Sequence, residues 1–286
     1  MHPNGNENVD DKIFADPFTR LLTERLAIGV DSSWIRRNRT SFPQQAVFGL
    51  TSLTLKGQVF EDDPHEALVA ARLSWGIGRL GNQAVGVGGP SALQPGVFFG
   101  KGLGDLPDRM AWLRPFGVAG AVTAEFPVSR RSTTTGIDPA TRRLGPVPTI
   151  NGNILHWGLA LEYSTLYLTD RFTGGPPKEE PLNQFVPLVE FAFDTPIGRG
   201  FGRKTTGTAN PGLSYVAETW QLAAEAILPM NREAGRGVGA RIQLLLFLDD
   251  LVPMLFGKPL LSRSAYGETG TTRGSGFAAV LIFGVA

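Results

Sequence analysis

The chain has 286 residues, with 36 glycines, 18 phenylalanines, 19% charged residues and a formal net charge of +1. It has no cysteine, which excludes disulfides, thiolate metal sites and cysteine nucleophiles. No apolar run approaches about 18 residues, so a transmembrane helix is excluded. With no basic block and no acidic tail, nothing points to nucleic acid.

Met1–Pro17 is polar and has no apolar core of the kind a signal peptide needs. It reads as a disordered or truncated segment ahead of the structured part, with Phe18–Leu22 the remnant of an early strand. Leu26–Trp34 alternates: Leu26, Ile28, Val30 and Trp34 fall on one face, Ala27, Gly29, Asp31 and Ser33 on the other. Ile35–Gln45 reads as a polar loop. Val47–Phe60 is extended and Ala67–Ile77 returns after the turn at Glu61–His65, which predicts a hairpin.

Gly78–Ser91 is glycine-rich and loop-like. A less regular strand surrounds Val97 and Phe99. Asp105-Leu106-Pro107-Asp108 signals one helical turn. Arg114–Phe126 alternates well, with Phe116, Val118, Val122 and Phe126 opposite Gly117, Ala119, Ala121, Thr123 and Glu125. Pro127–Asn153 reads as a long polar loop.

Ile154–Ser164 is the clearest stretch: Leu155, Trp157, Leu159, Leu161 and Tyr163 alternate with His156, Gly158, Ala160, Glu162 and Ser164. Its length of about ten residues is what a tilted strand needs to cross a bilayer. Thr169–Asn183 reads as a loop. Phe185–Thr195, two strands within Pro211–Pro229 and Val238–Leu248 continue the pattern. Asp249–Ser275 looks irregular, and Gly276–Ala286 fits a last strand or a tail. The sum is ten to twelve strands of about ten residues, most joined in sequence, with no ordinary amphipathic helix. That predicts an all-β, up-and-down antiparallel transmembrane barrel over residues 18–260, with 261–286 as an extension or final strand.

The polar face carries isolated charges among Gly, Ala, Ser and Thr. Asp31, Lys56, Arg72, Glu125, His156, Glu162, Glu190, Asp194, Glu225, Arg241 and Gln243 are the candidate lumen-lining residues. A water-facing sheet would be richer in Lys, Glu and Gln and poorer in Gly and Ala. Small residues with scattered charges of both signs suit a crowded wet interior, where they form ion pairs and set selectivity. The soluble alternative is a lipocalin-like barrel binding a small molecule.

Three motifs are weaker than they look. Gly76-Ile77-Gly78-Arg79-Leu80-Gly81 matches a dinucleotide fingerprint, but no helix follows to hold a pyrophosphate. Gly100-Lys101-Gly102-Leu103-Gly104 lacks the Lys-Ser/Thr of a phosphate loop and reads as loop glycine. His156 invites a serine–histidine hydrolase, yet no serine is singled out beside it. His2, His65 and His156 are dispersed, so no metal site, cofactor or catalytic residue is expected.

Several segments carry a resemblance: Leu22–Leu26, Phe99–Pro107 with Leu113–Phe116, Trp157–Ser164, Val186–Phe191, Thr205–Gly212, Glu225–Asn231 with Gly235–Gly239, Phe247–Asp250 and Phe256–Leu260. In this order they resemble an uncharacterised family of bacterial outer-membrane transporter-like proteins, related to a family named for meta-pathway phenol degradation. Family members carry a signal peptide and further strand sequence before the position of Leu22, and end near that of Leu260. The resemblance implies an outer-membrane location, insertion by the outer-membrane assembly machinery, and contact with outer-membrane lipid. It also implies passive passage of small solutes, hydrophobic or aromatic ones among them. A structural envelope barrel with a plugged lumen is the other reading.

Overall fold

A computed structural model describes residues 9–39, 42–48, 51–78, 90–137, 143–165, 184–198 and 204–261. Among them the secondary structure is almost wholly antiparallel strand. The early strands are β1 (Val9–Leu21), β2 (Leu26–Arg39), β3 (Phe42–Phe48), β4 (Thr51–Asp62), β5 (Ala67–Ile77), β6 (Ala92–Gly102) and β7 (Phe116–Pro127). They are followed by β8 (Arg131–Ile137), β9 (Leu144–Ile150), β10 (Ile154–Tyr163), β11 (Phe185–Pro196), β12 (Thr206–Val216), β13 (Trp220–Pro229) and β14 (Gly239–Leu246). Two single helical turns, α1 (Leu248–Leu251) and α2 (Pro253–Phe256), come last.

The main sheet runs β1-β2-β4-β5-β6-β7-β10-β11-β12-β13-β14, with β3 on the far half of β2, and β8-β9 forms a separate hairpin. Chain order is therefore sheet order, the up-and-down connectivity that period-2 segments separated by turns produce. Every pairing in it is antiparallel. Among the described residues β1 and β14 are the two ends of this path.

The structure departs from the sequence reading in four places. Residues 9–17 are not outside the sheet: β1 starts at Val9 and pairs with β2 from Val9↔Arg39 to Leu21↔Ala27. Its own pattern is too polar to announce a strand, and the long neighbour β2 supplies the hydrogen-bonding edge. Of the expected loop Ile35–Gln45, residues 35–39 continue β2 and residues 42–45 begin β3. What read as one extended segment, Val47–Phe60, is two strands, each pairing with a different half of β2. The expected loop Pro127–Asn153 holds the β8-β9 hairpin. Pro146 and Pro148 occupy alternate positions on β9, where a strand with only one neighbour tolerates missing donors.

The helical turn expected after Asp105 is present as a 3-10 helix, Asp108–Leu113. The expected loop Thr169–Asn183 and the segment Gly276–Ala286 lie outside the described residues, as does most of Gly78–Ser91.

The sheet is strongly curled. Laid flat, the eleven strands of the path would separate β14 from β1 by roughly 48 Å, at about 4.8 Å per strand. Leu255 follows the end of β14 by nine residues, which fully extended reach only about 31 Å. Yet Arg20 Nη2 on β1 donates to the Leu255 carbonyl at 2.7 Å. Phe18 packs edge-on against Phe256 at 6.2 Å, and the Leu260 and Leu261 amides donate to the Leu21 and Leu22 carbonyls. The two sheet edges must therefore approach each other.

The burial pattern is the reverse of a water-soluble sheet. Ser52, Thr54, Ser74, Thr123, Asn210, Ser214 and Glu225 are buried, together with Ala119, Ala121, Ala160 and Ala223. Their neighbours of opposite parity, Leu53, Leu55, Leu73, Trp75, Val122, Leu159, Leu213 and Leu222, are exposed. On β14 the exposure of Ile242 and Leu244 reaches 77% and 63%. No helix among the described residues is long and apolar enough to cross a membrane.

Candidate functional site: the concave polar face

The polar face is the concave one. Arg241 on β14 donates to Glu190 on β11, three strands away. On a flat sheet those strands would lie about 14 Å apart, too far for two perpendicular side chains to meet. The curl brings them together.

On this face the candidate residues fall into three groups. The first lies on β2, β4 and β5. Ser52 and Thr54 donate to Asp31 Oδ2 at 2.9 and 3.0 Å, and the Thr54 and Ser74 hydroxyls share a hydrogen bond of 2.8 Å. Lys56 and Arg72 sit directly opposite each other across the β4-β5 pair. Arg72 Nη2 passes over β6 to reach Thr123 Oγ1 on β7 at 3.1 Å. Gly96 makes this crossing possible: it faces both residues in register, and a Cβ there would come within 2.5 Å of Thr123 Oγ1. The Arg72 guanidinium lies 4.9 Å from the centroid of the Phe98 ring, a cation–π distance.

The second group spans β6, β7, β10 and β11. His156 Nδ1 is 2.5 Å from Asp194 Oδ1, its partner in register, and Nε2 is 3.4 Å from Glu125 Oε2. Gln94 Nε2 donates to the same Glu125 oxygen at 2.8 Å. Both ring nitrogens thus face carboxylates, an arrangement satisfied by an imidazolium, which donates at each nitrogen. No hydroxyl among the described residues is hydrogen-bonded to this ring, so a serine–histidine pair is not formed there. Trp157, of opposite parity, stacks on Phe193 at 4.2 Å.

The third group lies on β11, β13 and β14. Arg241 bridges Glu190 and Glu225, and all three side chains are at most 13% exposed. Gly212 of β12 leaves room for Glu225, since a Cβ there would meet its Cγ at 2.4 Å and the Ala224 carbonyl at 2.7 Å. Two candidates stand apart. Glu162 faces Gly117 and Leu188 in register and makes no ion pair among the described residues. Gln243 has its Nε2 buried without a hydrogen-bond partner among them.

Parity along the strands therefore locates the candidates on one face but does not reveal their partners. Sequence reading passed over Gln94, Ser52, Thr54, Ser74 and Asn210 as site members. Their shared parity with the charges was the available signal. Formal charge is unevenly spread. Among the candidate residues of β2, β4 and β5, two cations oppose the one carboxylate of Asp31. From β7 to β14 five carboxylates oppose Arg241 and His156. Among the described residues no group of three or more acidic or histidine side chains is arranged to hold a metal ion.

The Gly100–Gly104 run, expected as loop glycine, is strand as far as Gly102, the end of β6, and turns only after it. The Gly102 amide donates to the Glu66 carbonyl at 2.9 Å, and the Gly104 amide to Glu66 Oε2 at 3.2 Å. A Cβ on Gly102 would fall within 1.9 Å of Glu66 Oε2. Glu66 itself adopts a left-handed conformation at φ 51°. Lys101 donates to Asp105 Oδ1 at 2.8 Å, and this bond holds the Asp105 carboxyl below the usual carboxylate range.

No protein-family model matches the chain, and no curated protein matches it.

Proposed function

We propose that this chain is a transmembrane antiparallel β-barrel of the bacterial outer membrane, passing small solutes by diffusion through a lumen lined by the concave polar face. One observation carries the reading: the polar, small-residue face is buried while the large apolar face is exposed. In water such an apolar surface would far exceed the few hundred Å² of exposed patch usual for a soluble monomer. Against lipid it is the expected outer surface of a barrel. Closure in wholly antiparallel fashion needs an even strand count, so the eleven-strand path takes at least one strand more. The segments resembling outer-membrane transporter-like proteins support the same assignment, including its lipid contacts and dependence on the assembly machinery. Hydrophobic and aromatic solutes are the cargo that resemblance suggests.

The experiment is planar-bilayer conductance of protein refolded in detergent, with Glu162→Gln and Lys56→Gln alongside. Stable single-channel steps whose cation–anion selectivity moves in opposite directions in the two variants are the expected result. A soluble monomer that unfolds on detergent extraction overturns the membrane assignment. A second reading, a structural barrel with a plugged lumen, is favoured by the tightness of the interior at Ser214 and Asn210, which are 1% and 2% exposed. A folded barrel with no conductance would select it.

A further inference from the structure

We propose that Lys56 and Arg72 form a subsite for a small organic monocarboxylate on the concave face. The inference rests on that face being the solute path. The two cations are direct cross-strand neighbours on β4 and β5, a like-charge placement that is unfavourable unless an anion lies between or beside them.

The protein supplies one anion nearby, Asp31, whose charge acts on both cations, but no direct contact to either. Among the described residues Lys56 makes no hydrogen bond or ion pair, and Arg72 makes one, to the neutral Thr123 hydroxyl. Arg72 Nε is buried with no partner. Asp31 accepts from the neutral Ser52 and Thr54 hydroxyls, so its one negative charge is what the protein sets against the two cations. Elsewhere on the same face the rule is opposite: Arg241 is matched by two carboxylates. Among the candidate residues, the Lys56–Arg72 pair is thus the place on this face where positive charge is in excess.

Charge and shape select the ligand. Two cations against Asp31 leave one net positive charge, which suits a monoanion. The five carboxylates farther round the face repel a dianion more strongly than a monoanion. An arginine donor edge matches the planar, two-oxygen geometry of a carboxylate. Phe98, already under the guanidinium, offers an apolar surface to the organic part.

The test is calorimetric titration of the full chain, folded in detergent, with acetate, benzoate and sulfate. Acetate and benzoate should bind, benzoate more tightly, with sulfate weaker than either. Lys56→Gln and Arg72→Gln should each weaken benzoate binding at least tenfold, while Lys56→Arg retains it. Glu24→Gln, in the exposed turn between β1 and β2, serves as a folded control with binding kept. Absence of benzoate binding to the unaltered protein overturns the subsite, as does equal binding in both Gln variants. Sulfate binding as tight as benzoate overturns the monoanion assignment. Because binding is read without a membrane, the two proposals fail separately. Binding without conductance leaves the subsite and removes the channel, and conductance without binding does the reverse.

Discussion

Two regions of the concave face treat an arginine in opposite ways. At β11–β14, Arg241 is enclosed by Glu190 and Glu225, and charge is cancelled within the protein. At β4–β7, Arg72 faces Lys56, spans a glycine and ends on a hydroxyl. The first arrangement is what a buried ion pair needs to offset desolvation. The second sets two cations against one nearby carboxylate, Asp31, and leaves positive charge in excess. One kind of side chain therefore acts as a structural clamp in one region and as an open contact in the other, and register with neighbouring strands decides which.

The comparison is broken most forcefully at the clamp. Arg241→Met leaves two carboxylates buried and unpaired, and should destabilise the fold by about 3–5 kcal/mol, read from urea unfolding of detergent-folded protein. Arg72→Met strands no buried anion and should cost well under half as much. Equal losses would erase the distinction.

Next comes the space each arginine region needs. Gly212→Val pushes a side chain into Glu225 and the Ala224 carbonyl, and should cost about 1–3 kcal/mol by the same measurement. His156→Gln comes third. It keeps one donor but loses the bridge between Glu125 and Asp194, for a cost of about 1–2 kcal/mol. It should also shift single-channel selectivity toward cations, whereas Lys56→Gln shifts it the same way with little loss of stability.

The smallest effect lies outside both regions, at Asp105. Its titration point is lowered in the folded state, so its contribution to stability is present above the unfolded-state value and fades as pH falls through the folded one. Asp105→Asn should therefore reduce stability slightly near neutrality and flatten that acid-side fall, leaving selectivity untouched.

Much of the fold was legible from alternation. β4, β5, β7, β10, β11, β13 and β14 each carry an uninterrupted apolar face, and the parity of Glu162 or Arg241 follows directly. β1, β3 and the β8-β9 hairpin were not legible. Their residues are polar on both faces or interrupted by Pro146 and Pro148, and their extended state is imposed by pairing rather than by burial. At the site, the shared face was readable, but the partners were not. Whether Arg241 meets Glu190 depends on the curvature that brings β14 over β11. Whether His156 meets Asp194 depends on a register that a one-residue slip would undo.

The contact between Arg20 and Leu255 spans 235 positions of chain, whereas neighbouring strands meet over a couple of dozen. Roughly tenfold in loop length is about three doublings, an entropic handicap of only about 2 kcal/mol. That is little for the whole molecule but considerable for the few bonds made there. The junction between the first and last described elements is therefore the seam of the described sheet, expected to be the last part to set during assembly and the first to part under load. Amide exchange should be fastest at Leu260 and Leu261 and slowest along β10, and a sideways exit from the interior, if solutes use one, would open at that seam.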